Sequence, residues 1–190
     1  MDSFLRCLPL VLVLLIILER VRELRTKRNT VSGVRKETFS FKVFVLCGAA
    51  LTLGCIVEYV WRGMLPHWPM VVAGVLIAFV SFAIRRRAIA ALGKFWSFHI
   101  EIREGHQFVQ SGPFRFVRHP TYFSMILELL SVGLLLRAFY MLLTMPLLFF
   151  PVLLWRIHDE EEALIERFGD AYRHYRKTTP ALIPFTKFSH

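Results

Sequence analysis

Apolar runs long enough to cross a lipid bilayer alternate with basic segments along this chain. Five runs carry few or no charged residues: 4–18, 41–60, 70–84, 122–136 and 139–154. A helix of about 20 apolar residues crosses a hydrocarbon core about 30 Å thick. We therefore predict an all-α integral membrane protein with about five transmembrane helices.

The composition supports a membrane protein over other classes. Hydrophobic side chains make up 55% of the 190 residues, above the roughly 45–50% that is typical of soluble domains. The net charge of +10 does not indicate nucleic-acid binding, because the basic residues fall in blocks between apolar runs, where anionic membrane lipids are the expected partners. Cys7, Cys47 and Cys55 lie within apolar runs without metal-type spacing, so we predict no metal site.

The distribution of basic residues predicts the orientation in the membrane. Lys and Arg concentrate in three segments: residues 20–38, residues 85–118 and the tail from 156 on. Such segments tend to stay on the cytoplasmic side. We therefore predict that the central loop and the C-terminal tail are cytoplasmic and that the N-terminus lies outside. The first run precedes its basic block, which is typical of a retained signal anchor and not of a cleaved signal peptide.

Two polar segments fall on the predicted cytoplasmic side. The first, residues 105–122, is G-H-Q-F-V-Q-S-G-P-F-R-F-V-R-H-P-T-Y. Pro113 and Pro120 prevent an uninterrupted helix there, and an ordered loop without a helix commonly binds a ligand. A plain cytoplasmic loop that carries its positive charges is the alternative.

The second polar segment is the tail that follows the fifth run. It begins W-R-I-H-D-E-E-E and places Arg156 one helical turn before Glu160. Four consecutive acidic residues are repelled by an anionic membrane surface, so we predict that they face a cationic ligand or the basic loop; a surface helix with these carboxylates at its start is the alternative. Gly169 predicts a helix end and Asp170 a new N-cap.

The two segments together resemble the isoprenylcysteine carboxyl methyltransferase family of integral membrane enzymes. The resemblance rests on R-H-P-x-Y in the loop, on R-x-x-x-E-E at Arg156, Glu160 and Glu161, and on the ending L-I-E-R-F-G-D-A-Y-R-H-Y-R-K-T-T-P-A-L-I-P-F. It covers roughly residues 94–186, in the short five-span form. It implies two regions: N-terminal transmembrane helices in 1–93, and a catalytic region in 94–190 whose loop and helical tail form the cofactor site.

The resemblance implies transfer of the methyl group of S-adenosylmethionine to an oxygen, carboxylate or hydroxyl, of a lipid or prenylated acceptor. The implied catalytic residues are Arg156, which would face the acceptor, Glu160 and His119. The implied cofactor-binding residues are His106, Gln107, Phe108, Val109, Phe114, His119, Pro120, Thr121, Tyr122 and Glu160. Phe114 and Phe116 stand where the family commonly has Tyr, so only ring packing is implied there.

The chemistry of the cofactor fits these residue types. S-adenosylmethionine carries a sulfonium, an ammonium and a carboxylate, and the Arg118/His119 loop and the Glu160/Glu161 pair together offer both signs of charge. A carboxylate acceptor needs no base, whereas a phenol would make His119 or a cytoplasmic glutamate a candidate base. A simple helix cap for the helix starting near Thr121 is the alternative role of His119.

Two further carboxylates lie in or beside predicted spans. Glu128 is inside the fourth span, where an unpaired charge costs several kcal/mol. We therefore predict that it faces the acceptor pocket, either protonated or paired with a polar lipid headgroup; a hydrogen bond to a neighbouring helix is the alternative. Glu58 lies four residues before Arg62, which predicts a surface ion pair.

Two other functions fit parts of the pattern. Membrane sterol reductases are similar at the R-H-P-x-Y loop and the tail, and they use a nicotinamide dinucleotide. Their basic pocket for a 2′-phosphate calls for extra Arg or Lys near the tail, whereas this tail opens with 159–162, D-E-E-E. A non-enzymatic membrane scaffold is the third possibility, and it would not explain why two motifs are predicted on one side.

Overall fold

A computed structural model describes residues 2–26, 33–37, 39–93, 100–103 and 108–183. Within these residues the chain forms six α-helices: α1 (Asp2–Arg25), α2 (Phe39–Arg62), α3 (Trp68–Leu92), α4 (Pro120–Leu135), α5 (Phe139–Phe168) and α6 (Asp170–Thr178). Two short strands, β1 (Gly33–Glu37) and β2 (Ile100–Arg103), pair antiparallel, and a 3₁₀ helix (Gly112–Arg115) precedes α4. The predicted all-α membrane fold is confirmed, and the strand pair is a small addition that the sequence did not indicate.

Three of these helices, α2, α3 and α5, are long and apolar enough to cross a membrane. The 16-residue α4 is apolar but shorter, and α1 has charged residues near both ends. Large side chains such as Leu46, Phe79 and Leu147 are exposed on the outside of the bundle, as expected of surfaces that contact lipid. The described residues thus contain three to four span candidates where the sequence predicted about five, and the protein is a multi-pass membrane protein.

Small residues allow α3 and α4 to pack closely along their length. A Cβ atom on Gly74 would lie 2.8 Å from Cγ of Leu135. Hydroxyl groups link the two backbones, since Ser131 Oγ donates to Gly74 O at 2.8 Å and Ser81 Oγ donates to Ser124 O at 2.7 Å. Close approach with such hydrogen bonds is the usual way in which helices associate where no hydrophobic effect drives them together.

Glu58, predicted in a surface ion pair, is buried. Its carboxylate accepts hydrogen bonds from the backbone N–H groups of Tyr140 (3.2 Å) and Met141 (3.0 Å) in the first turn of α5. It also accepts one from Arg62 at 3.0 Å, so the pairing is confirmed but the surface location is wrong. A carboxylate at a helix N-terminus satisfies unpaired N–H groups and complements the helix dipole. Glu58 therefore caps α5 from a neighbouring helix.

The fifth predicted run and the start of the tail form one continuous helix. α5 passes through Pro146 and Pro151 and ends at Phe168, and Gly169 follows with a φ of 57°, a left-handed conformation that glycine adopts at little cost. The predicted helix end is confirmed. Asp170 is the first residue of α6 and Gly169 takes the N-cap position, so the predicted cap is displaced by one residue.

Candidate functional site

The central loop, residues 108–119, and the tail, residues 169–183, are joined through their backbones. Arg118 N–H donates to Pro180 O at 2.9 Å, and His119 N–H donates to Ala181 O at 3.0 Å. The Tyr175 hydroxyl donates to Phe114 O at 2.6 Å. The two polar segments that the sequence singled out therefore form one end of the helix bundle, which we call the polar end.

Glu161 is the centre of the contacts between loop and tail. One carboxylate oxygen, Oε1, lies 2.8 Å from Nε of Arg118 and 3.0 Å from Nε2 of His119, while Oε2 lies 3.3 Å from Nε of Arg176. Arg118 also donates to the backbone carbonyls of Arg176 and Thr179. Because Arg118 and Glu161 bind each other, neither has its charge fully available for a ligand.

Glu160 has a different environment from its neighbour. It accepts a hydrogen bond from the Tyr122 hydroxyl at 2.6 Å, and its side chain is 33% exposed, compared with 6% for Glu161. The His119 ring stacks on Tyr122 with centroids 5.5 Å apart, and Nδ1 of His119 lies 4.0 Å from Oε2 of Glu160. Of the two carboxylates, Glu160 is the one that can contact a cationic ligand.

His119 occupies the N-cap position of α4 but does not cap it through its side chain. Its Nε2 instead contacts Glu161, as described above. An ionised carboxylate only accepts hydrogen bonds, so Nε2 of His119 carries a proton beside Glu161.

An aromatic cluster packs the loop against the tail. The Phe108 ring lies 5.1 Å from Phe168, 5.6 Å from Tyr172 and 5.7 Å from Tyr175 between centroids. Burial raises the pKa of the Tyr175 phenol to about 12; nearby Arg118 opposes this shift and Glu161 adds to it. Tyr175 is therefore a neutral hydrogen-bond donor at physiological pH.

Arg156 is buried beside the first turn of α2. Its Nη1 donates to Ser40 Oγ at 3.2 Å, and its guanidinium stacks over the Phe41 ring at 5.1 Å. Arg156 also interacts electrostatically with Tyr122. The arginine thus lies between the polar end and the interior of the bundle.

Phe41 also lines a cavity of about 380 Å³. It is lined by residues of α1, α2, α4 and α5, nearly all apolar. Phe44, whose ring is 5.6 Å from that of Tyr122, is also in its wall. Arg20 and Glu128 add charged groups to its wall and bind each other. Nε of Arg20 lies 3.0 Å from Oε1 of Glu128, and Nη2 of Arg20 lies 2.5 Å from Oε2. Glu128 therefore both faces a pocket and binds a neighbouring helix.

The structure brings most of the predicted site residues together. Phe108, Phe114, His119, Tyr122 and Glu160 lie in or beside the polar end. Pro120 is buried at the start of α4, Thr121 O accepts a hydrogen bond from Arg85 at 3.4 Å, and Val109 is half-buried. His106 and Gln107 lie outside the described residues.

The predicted site residues did not include several residues that shape this end. Tyr172 and Tyr175 belong to the aromatic cluster; their spacing in F-G-x-x-Y-x-x-Y was part of the sequence pattern, but no role in the site was predicted for them. Buried Arg85 donates to Ser124 Oγ at 3.1 and 2.9 Å and so supports the first turn of α4. It stands in R-R-R at 85–87, where the sequence gives no means of separating it from its neighbours.

The fold and the polar end define a multi-pass membrane protein with a charged site beside an apolar cavity between its helices. The model of the isoprenylcysteine carboxyl methyltransferase (ICMT) family matches residues 72–166, half of the chain, and the protein belongs to this family of membrane methyltransferases. The match includes Arg118, His119, Arg156 and both glutamates.

Individual relatives agree with this membership. The chain is 25% identical to the uncharacterized protein YpbQ of Bacillus subtilis, over 82% of this chain and 95% of YpbQ. It is 28% identical to protein-S-isoprenylcysteine O-methyltransferase B of Arabidopsis thaliana, over 82% of each chain. The solved structure of the eukaryotic intramembrane Ras methyltransferase ICMT has the same fold, with a TM-score of 0.58 and 20% identity; the match covers 76% of this chain and 53% of that one.

Proposed function

We propose that this protein transfers the methyl group of S-adenosylmethionine to an oxygen of a lipid or prenylated acceptor. The observation that carries the proposal is the position of Arg156 and Tyr122, which lie between the charged polar end and the intramembrane cavity. A polar cofactor and an apolar acceptor can meet only at such a boundary. Relatives named as isoprenylcysteine O-methyltransferases, at 28% identity for the Arabidopsis enzyme, support the same chemistry.

The residues of the polar end fit the cofactor. Glu160 offers a partly exposed carboxylate for the ammonium or sulfonium, and the Tyr122 hydroxyl fixes the orientation of that carboxylate. Phe108 adds an apolar, aromatic surface. Bound there, S-adenosylmethionine would supply an electrophilic methyl group for in-line displacement by an acceptor oxygen, and correct alignment in a dry site accounts for most of the expected rate gain.

Arg156 and His119 have distinct roles in this proposal. A planar guanidinium can hold an acceptor carboxylate by two parallel hydrogen bonds, and Arg156 lies where a lipid in the cavity would present its polar group. For a hydroxyl acceptor, Nδ1 of His119 could take the proton while Nε2 remains bonded to Glu161. The buried surroundings of both residues would exclude water.

Titration calorimetry with S-adenosylmethionine tests the cofactor site. Loss of a charge-assisted contact costs about 1.5–3 kcal/mol, so Glu160→Gln should weaken binding at least tenfold. Exposed Glu162 provides the matched control, and Glu162→Gln should bind normally. Unchanged affinity in Glu160→Gln would remove Glu160 from the cofactor site. Failure of the wild type to bind S-adenosylmethionine while it binds a reduced nicotinamide dinucleotide would favour a reductase.

Methyl transfer to lipid extracts from labelled cofactor tests the acceptor side. Arg156→Ala should slow transfer at least tenfold with little change in cofactor affinity, and Arg156→Lys should restore part of the rate because it keeps the charge but not the planar fork. Wild-type activity in Arg156→Ala would contradict this role. The rate should be flat from neutral to alkaline pH for a carboxylate acceptor and should rise for a phenol.

A further inference from the structure

The Arg20–Glu128 ion pair lies in the wall of the apolar cavity, away from Arg156 and Glu160. Among the described lining residues these two are the only charged ones. Their side chains are 19% and 12% exposed. Thr52, a third polar lining residue, donates its hydroxyl to Gly48 O of its own helix at 2.9 Å. The pair is thus the main polar feature that a lipid in the cavity would meet.

A structural role alone is a weak explanation for this pair. Removing two charges from water costs about as much as their attraction returns, and apolar residues of similar size often stabilise a protein equally well. Ionisable groups at membrane depth are rare and usually serve function. The pair does join α1 to α4, so the experiment below must separate that role from ligand binding.

The pair keeps unused hydrogen-bonding capacity. Nη1 of Arg20 is buried and has no hydrogen-bond partner among the residues that the structure describes. Oε2 of Glu23 lies 3.6 Å from this nitrogen, which is beyond hydrogen-bond distance. Each carboxylate oxygen of Glu128 also has a second lone pair. Nη1 is too buried to reach the cavity surface, so the capacity that the cavity wall presents is that of the Glu128 carboxylate, beside the guanidinium of Arg20.

The charges around the pair are balanced. Arg20 neutralises Glu128, and Glu23 is matched in turn by buried Arg85, whose Nη1 lies 3.6 Å from Oε2 of Glu23. An additional carboxylate or phosphate would leave an uncompensated charge at membrane depth, which is costly. A neutral group that can donate and accept, such as a hydroxyl or an amide, would not.

We propose that the Arg20–Glu128 pair is a second polar subsite, which binds a neutral hydrogen-bonding group carried partway along the lipid chain of the acceptor. This rests on the proposed function, since it takes the cavity as the acceptor site. Glu128 lies six residues beyond Tyr122 on α4, or about 9 Å at the helical rise of about 1.5 Å per residue. The acceptor would thus be a lipid with a polar substituent about that far from the oxygen that is methylated.

The test uses octadecanoic acid and its monohydroxy isomers, with the hydroxyl moved stepwise along the chain. Affinity is measured by the thermal stabilisation of the purified protein in detergent, without cofactor. One mid-chain isomer should bind about three- to tenfold more tightly than the unsubstituted acid, the size of one net hydrogen bond. The charge-neutral double variant Arg20→Leu/Glu128→Leu should lose this preference and retain affinity for the unsubstituted acid. Thr52→Val is the control and should keep the preference.

A wild type without positional preference would overturn the proposal, as would a double variant that retains it. Arg20→Met/Glu128→Met, which fills similar space with neutral side chains, covers the case in which the leucine double variant does not fold. It should also lose the preference, and an unchanged preference would overturn the proposal. Binding of S-adenosylmethionine and methyl transfer are measured separately, so their absence would reject the proposed function without deciding the lipid preference.

Discussion

Glu161 contacts two guanidinium groups and an imidazole that come from both sides of the polar end. Glu161→Gln would leave Arg118 without its charged partner in a buried position. Loss of a hydrogen bond to a charged group costs roughly 1.5–3 kcal/mol. We expect a clear fall in the midpoint of thermal unfolding, whereas the exposed neighbour variant Glu162→Gln should match the wild type. Equal midpoints for all three proteins would show that the Glu161 contacts do not stabilise the fold.

Tyr175 should make the protein sensitive to alkali. Its pKa in the folded protein is raised from the ordinary 10.0 to about 12 by burial, so the folded state holds the phenolic proton more strongly than the unfolded state does. The resulting stability is complete below pH 10 and is lost as pH rises through about 12. Tyr175→Phe should be less stable at neutral pH, because it lacks the hydrogen bond to Phe114, and its stability should decline less between pH 10 and 12.

Thermal unfolding followed across that pH range provides the measurement. Tyr140→Phe is a suitable control, since Tyr140 is 57% exposed, and its profile should follow the wild type. Parallel curves for wild type and Tyr175→Phe would contradict the shifted pKa.

At the level of helices, the α3–α4 contact should tolerate no added atom at Gly74. The new Cβ in Gly74→Ala would lie 2.8 Å from Leu135 Cγ and 3.1 Å from Ser131 O. Overpacking of this kind typically costs about 1–3 kcal/mol. At Gly48 on α2 the same change meets only Phe149, at 3.9 Å. We expect Gly74→Ala to unfold at a lower temperature than the wild type and Gly48→Ala to be neutral or slightly more stable.

The cap that Glu58 provides to α5 gives a second expectation at this level. Glu58→Ala leaves the N–H groups of Tyr140 and Met141 without their acceptor, at a cost of roughly 1–3 kcal/mol for each buried unsatisfied group. Glu58→Gln should lose less, because the amide oxygen can still accept one of the two bonds. Thermal unfolding of both variants in detergent measures the order. If Glu58→Gln were as unstable as Glu58→Ala, the negative charge of Glu58, and not its capacity to accept hydrogen bonds, would account for the stabilisation.

Across the whole molecule, the sequence predicted those features of the fold that depend on a local pattern of residues. The apolar runs located the start of each long helix to within two residues, because hydropathy at helical length needs no tertiary contact, but α3 and α5 continue 8 and 14 residues beyond the ends of their runs. The Arg20–Glu128 pair joins residues 108 positions apart, and the burial of Glu58 depends on where α5 begins. Such contacts follow from how helices pack, which no run of residues encodes by itself.

The candidate site was predictable to a similar extent. The distribution of basic residues and the two motifs placed loop and tail at one end, and the contacts of Arg118 and His119 with Glu161 agree with that. The sequence could not show that Glu160 is partly exposed while the adjacent Glu161 is buried. Adjacent residues of a helix point about 100° apart, so which of the two faces the loop depends on how α5 is oriented against it.

Removal of residues 179–190 should uncouple the polar end from the bundle. The shortened chain lacks the carbonyls of Pro180 and Ala181 that accept from the loop backbone, and the Thr179 carbonyl bound by Arg118. Contacts among α2 to α5 themselves remain, although the core cluster around Phe149 loses Leu182 and Ala181. We expect near-normal helical content by circular dichroism, faster proteolysis within residues 108–119, and loss of S-adenosylmethionine binding. Wild-type proteolysis rates would show that the tail does not hold the loop.

The pairing of the loop with residues 180 and 181 also has a consequence for biosynthesis. Proteins are made from the N-terminus, and early segments fold while later ones are still being synthesised. The helices can enter the membrane in order. The loop, however, stays exposed until residues 180 and 181, which bind it, have been synthesised and have left the ribosome. A released chain that ended inside α6 would contain all of the long helices and yet lack the backbone carbonyls of residues 180 and 181 that hold the loop.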